Sequence, residues 1–348
     1  MTPTTRDSAK GWAVVRWLFA AAFIAALILT GRLSGPTNQV GLLYLVFGSV
    51  AAALMSFTGR EILASFKQAA GAPGTRQSFG KSAHFWEAAA RNAWALGALG
   101  SVLNFMIVLS VGSGGIAGVA DRMIRSFLVM LYGLVLAVVC LVPAVKLSGK
   151  AEASPQIEDE HRAAAAAPPP HSGLGTLGLD RIIGYALFAV VLVLTVVFLV
   201  GGQPLSGPIP IAKVLFHWPA VLVVVGGAIA LALFMGAGAG PRAWTIGFAM
   251  TGLIGLLAGF IQALFGIVHK NVGEIAAACA FIISVSSFCL LGEIMVAAPL
   301  EDRRIMAGRR DKPSSLSRLF WAFFPIAAFI FLVLTAILVM TPMEKTVQ

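Results

Sequence analysis

Glu293 is the side chain whose chemistry and position most need a reason. Of the 15 acidic residues in the chain, it is the one placed well inside a long apolar run, Phe288 to Leu300. A carboxylate there is costly, so it reads as a protonatable group or as the partner of a basic residue. The competing reading has it snorkel to the interface, since it lies about two turns from the end of its run. Ser101 and Asn104 put a hydroxyl and an amide three residues apart on one helix face. Gln262 occupies a comparable depth in a later run, and buried amides in lipid need partners, so Asn104 and Gln262 read as glue between helices before ion contacts. Ser286 adds a second intramembrane hydroxyl. Both serines have a plain alternative, donation to the carbonyl one turn back. His217 and His269 fall at predicted helix ends and read as interfacial.

Cys140, Cys279 and Cys289 are the only 3 cysteines, and all sit in apolar runs without CxxC spacing. They read as packing residues, with no disulfide framework or zinc site expected. No nucleophile elbow, phosphate loop or metal-ligand spacing is present, so no enzyme activity, catalytic residue, metal or cofactor is expected.

The elements that position these residues follow from composition. A chain that is 58% hydrophobic and 11% charged cannot hide its apolar surface by folding in water, and its long unalternating runs suit membrane helices rather than barrel strands. The formal net charge of +10 is gathered in particular loops. That distribution marks membrane orientation and not nucleic-acid binding. The first run lacks a small-residue cleavage site and reads as a retained span.

The expected fold is all-α: a polytopic helical membrane protein of about nine transmembrane helices, in two parallel four-helix repeats plus one C-terminal helix. The repeat is read from two helix pairs. Ala-Leu-Gly-Ala-Leu-Gly-Ser-Val-Leu-Asn at 95–104 leads to Val-Pro-Ala-Val-Lys at 142–146, and Thr-Gly-Leu-Ile-Gly-Leu-Leu-Ala-Gly at 251–259 leads to Ala-Ala-Pro-Leu-Glu at 297–301. Gly100 pairs with Gly255, and Pro143 with Pro299, at nearly constant offset. Residues 1–146 form the first module, 147–179 a proline-rich cytoplasmic linker, 180–302 the second module, and 303–348 a basic loop with the last helix. Gly97, Gly100, Gly252, Gly255 and Gly259 are packing positions, the last two at GxxxG spacing, with Pro143 and Pro299 closing the pairs.

Gly97 to Asn104, Gly133 to Ala137, Ile182-Ile183-Gly184 and Val223 to Gly227 together carry a likeness to a known family. Their order resembles the membrane helices of the MotA/TolQ/ExbB proton channels, twice over. That resemblance implies a pore lined by the third and fourth helices of each module, with a threonine on each. Carried over, these positions are Ser101 and Met130 in the first copy, and Leu256 and, nearby, Ser286 in the second. Ser101, Asn104, Ser286 and Glu293 are the resulting ion-pathway candidates.

The resemblance also implies a single-span partner of the MotB/TolR/ExbD type that supplies a proton-carrying aspartate, and an oligomer or larger membrane complex in the lipid bilayer. The expected location is the bacterial inner (plasma) membrane, with a cytoplasmic N-terminus and a periplasmic C-terminus. The expected function is a subunit of a proton-gradient-driven channel or stator. A non-conducting structural or accessory subunit is the alternative, and a small-solute transporter a weaker one.

Overall fold

The structure is a computed structural model that describes residues 37–110, 115–153, 179–200, 217–235, 241–269 and 271–307, with Phe324 and Ile330. The expected first span and residues 154–178 of the proline-rich linker lie outside the described residues, as does nearly all of the expected last helix; residues 147–153, expected in that linker, instead continue the helix that begins at Gly115. Every element among the described residues is a helix. They are α1 (Thr37–Ser56), α2 (Gly59–Ala69), α3 (Arg76–Ser110), α4 (Gly115–Ala153), α5 (Leu179–Val200), α6, α7 (Pro241–Val268) and α8. Two of these rods contain a wider turn. In α6, Trp218–Val221 passes through a π-turn at Leu222–Gly226 into Gly227–Met235, and in α8, Val272–Gly292 passes through one at Glu293–Ala297 into Ala298–Met306.

Helix boundaries follow local chemistry. Asn271 caps α8 by accepting from the Gly273 and Glu274 amides at 3.0 and 3.3 Å, satisfying two donors that no carbonyl precedes. Thr58 starts α2 with a reciprocal capping box to Glu61, and Gly71, at φ 112°, turns the chain away beyond its end, a conformation that suits glycine. Pro143 lies inside α4, where the missing N–H and the ring are tolerated because neighbouring helices support the rod.

Three described helices are long and apolar enough to cross a membrane: Ser126–Ala153, Ala243–Gly266 and Gly273–Met306. A fourth joins them if the bent pair Gly41–Ser56 and Gly59–Ala69 is one span. The interior is unevenly shared. The Gly273–Met306 rod has 72% of its apolar window buried, against 44% for Ala243–Gly266 and 39% for Ser126–Ala153. Thus α8 is a central rod, and α3 lies beside it, with Ala93, Ala95, Leu96, Leu99 and Val102 all buried. By contrast α7 presents Ile254, Leu257, Ile261 and Phe265 outward, an apolar surface suited to lipid.

Glycines set the close approaches. A Cβ on Gly97 would stand 2.8 Å from the Gly133 Cα, so α3 and α4 meet backbone to backbone. A Cβ on Gly100 would meet Val129 Cγ1 at 2.7 Å and Tyr44 Cε1 at 2.8 Å. Across the other pair, Gly252 faces Cys289 Sγ at 2.7 Å, Gly255 faces Val285 Cγ1 at 2.7 Å and Gly259 faces Ile282 Cγ1 at 2.5 Å by the same measure. Without hydrophobic driving force between helices in lipid, such contact by small residues is a main source of cohesion.

A candidate buried charge site

The ends of α1 and α8 and the middle of α3 meet around charged side chains that are buried or half-buried. His84 and Arg91 lie about two turns apart on α3 and so share a face. Both point at Asp302 in the last turns of α8. Arg91 Nη2 is 2.7 Å from Asp302 Oδ2, and His84 Nε2 is 3.1 Å from Oδ1, with the Asp302 side chain 0% exposed. Glu301 beside it is also buried and interacts electrostatically with Arg91. Arg303 then donates from Nη2 to the Met55 carbonyl at 2.8 Å. That carbonyl belongs to the last turn of α1, where acceptors lack a helical donor and the helix dipole favours a cation.

Glu293 stands within the electrostatic reach of the same Arg91. It is 0% exposed. Its Oε1 accepts from the Thr245 hydroxyl of α7 at 3.2 Å, and its Oε2 has no hydrogen-bond partner among the described residues. The snorkelling alternative is therefore not what the fold holds. Glu293 also opens the π-turn of α8, a rare geometry that recurs at functional positions. The widened turn leaves carbonyls to be satisfied from outside, and Tyr185 of α5 donates its hydroxyl to the Met295 oxygen at 3.0 Å. Just before it, Gly292 leaves room for the Phe248 ring, and Cys289 Sγ donates to the Phe248 carbonyl at 2.9 Å.

The other residues singled out by sequence are dispersed. Ser101 is buried between α3 and α4, its Oγ 3.1 Å from the Ser126 Oγ, so its partner is another helix and not its own preceding turn. Ser286 takes the plain alternative and donates to the Ile282 carbonyl at 2.8 Å. Asn104 is half-buried on α3 and Gln262 is exposed on α7. Met130 is half-buried and Leu256 fully buried. His217 packs edge-on to Phe281 at 5.7 Å, and His269 stacks on Phe265 at 6.2 Å. Pro299 is buried in α8, and Pro143 is half-buried in α4. Ser101 and Glu293 thus sit in separate polar contacts.

Sequence reasoning found Glu293 but not its neighbours. Glu301 closes the second repeat motif and Asp302 the second module, and the sequence assigns no role to either carboxylate. A signal was nevertheless present: His84 and Arg91 share one face of α3 among Phe85, Ala88 and Ala90, and a cation buried there needs a counter-charge. Among the described residues no group of three or more His, Cys, Asp or Glu side chains is placed to hold a metal ion. Comparison with family models, curated proteins and solved structures gives no match to this chain.

Proposed function

We propose that this chain is a membrane subunit that takes up and releases protons at Glu293, within a proton-gradient-driven complex that includes a single-span partner. The observation that carries this reading is a fully buried carboxyl group with one oxygen held by Thr245 and the other without a hydrogen bond among the described residues. A carboxylate kept at such cost inside a membrane is a functional group by default. Its place on a π-turn supports the reading, because that geometry loosens the helix where a proton would be exchanged.

The tandem origin suggested by the MotA/TolQ/ExbB resemblance is supported by matched contacts. Gly97 meets Gly133 as Gly252 meets Cys289, and Gly100 meets Val129 as Gly255 meets Val285. Each pair is related to its counterpart by nearly the separation that relates Pro143 to Pro299. Two helix pairs built on one plan would cross in the same way, and small residues would persist where the plan demands contact. On this reading the basic residues from Arg303 onward lie on the cytoplasmic side of an inner membrane.

The test is proton flux in vesicles containing the chain and its single-span partner. Glu293→Gln keeps the shape and removes the titrating group, so flux should be lost while assembly persists. Ser101→Ala should alter flux little, because Ser101 is engaged with Ser126 away from Glu293. Unchanged flux in Glu293→Gln would remove this carboxyl group from the mechanism.

A second reading, a non-conducting structural subunit, is favoured by the enclosure of α3. The face at Gly97 and Gly100 is filled within the chain by Gly133, Val129 and Tyr44, which leaves it no access to a plug helix. Absence of flux from the unsubstituted complex would favour this reading.

A further inference from the structure

The short helix α2 has its residues the wrong way round for a helix lying in water. Ser65 and Gln68 are buried against the protein, whereas Leu63 is 56% exposed and Phe66 51% exposed. Arg60, Leu63 and Lys67 follow one another at helical spacing along a single stripe, and all are exposed. Phe66 lies at its edge, with its ring 4.8 Å from that of Trp86. An outward face of two large apolar groups beside two cations does not suit bulk water. It suits the boundary between acyl chains and headgroups.

The fold fixes this face in place. The pair Gly41–Ser56 and Gly59–Ala69 is bent by 114°. With α1 upright in a bilayer, a bend of more than a right angle would carry α2 along the surface and slightly back towards it, not away from it. Contacts at three places stop the helix from rolling. The Gly59 amide donates to Asp180 Oδ2 at 3.1 Å, Trp86 Nε1 donates to the Ser65 carbonyl at 3.4 Å, and Lys146 Nζ donates to the Ala69 carbonyl at 3.3 Å. Glu61, the one acid of α2, is drawn into the capping box, its Oε2 2.8 Å from the Thr58 amide.

We propose that α2 is a surface anchor, with Leu63 and Phe66 set into the lipid and Arg60 and Lys67 placed against anionic phospholipid headgroups. The occupant is argued from charge. From Arg60 to Glu87 the chain carries Arg60, Lys67, Arg76 and Lys81 against Glu61 and Glu87, and each basic group near an anionic surface is attracted to it. The inference rests only on the chain being in a membrane, and stands apart from any role of Glu293.

The test uses the full chain in vesicles of phosphatidylglycerol and phosphatidylcholine, with Leu63→Cys carrying an environment-sensitive fluorophore. The native cysteines Cys140, Cys279 and Cys289 are buried, so labelling with a polar maleimide in detergent, before reconstitution, should be confined to the introduced thiol. Gln77→Cys, at an exposed position on α3, is the aqueous control. The expected result is a blue-shifted emission at position 63 and loss of the iodide quenching seen at position 77. Equal quenching at both would overturn the anchor. In native mass spectrometry the chain should retain phosphatidylglycerol in preference to phosphatidylcholine, and Arg60→Gln/Lys67→Gln should lose that preference. A preference unchanged in the double variant would overturn the headgroup contact.

Discussion

Replacing Asp302 with Asn tests whether the two ends of the described chain are held together by charge. The substitution keeps the shape and leaves the Arg91 guanidinium, whose side chain is 11% exposed, without the carboxylate now 2.7 Å away. Breaking a buried pair from one side costs about 3–5 kcal/mol, and because Glu301 still acts on Arg91 the loss should fall towards the lower end of that range. Arg91→Met should cost a similar amount, since Asp302 is then left at 0% exposure beside buried Glu301 and Glu293. Arg91→Met/Asp302→Leu removes both charges and should recover much of the loss, since apolar replacement of a buried pair is often neutral or stabilising. Unfolding by SDS titration in mixed micelles, followed by tryptophan fluorescence, gives the cycle. Coupling of about 0.5–3 kcal/mol or more is expected for groups in contact. Additive single effects would refute the pairing, and losses within about 0.5 kcal/mol would mean that the site is open to water.

Gly133→Val should push α3 and α4 apart, at a cost of about 1–3 kcal/mol or more in the same titration; Gly149→Ala, where an added Cβ meets nothing within 4 Å, is the control and should change little. Tyr185→Phe removes the hydroxyl that satisfies the Met295 carbonyl in the π-turn. It should cost about 0.5–1.5 kcal/mol and change the rate at which an apolar carbodiimide modifies Glu293, read by mass spectrometry; an unchanged rate would separate the turn from the carboxyl group.

The sequence by itself determined the class of this protein and its local structure. Hydropathy and the absence of alternation dictate apolar helices, because in lipid each backbone polar group must be satisfied within its own segment. Glycine spacing marked the positions of close contact, since only a missing Cβ permits backbones to touch. Glu293 was legible too, as a carboxylate surrounded by apolar residues. Tertiary structure decided which charges are buried and with whom. Asp302 reads only as the last residue of the second module until the end of α8 is seen beside α3, bringing it to Arg91 and His84 from far along the sequence. Ser101 reads either as a pore hydroxyl or as one bonded to its own preceding turn, and only the fold places Ser126 of α4 beside it. Likewise, composition alone does not reveal that α2 turns its apolar residues outward, because the choice of face depends on which neighbours α3 and α4 supply. Local pattern sets helix and hydropathy, which are properties of neighbours in sequence; partner choice among buried polar groups is a property of neighbours in space, and no spacing within one helix encodes it.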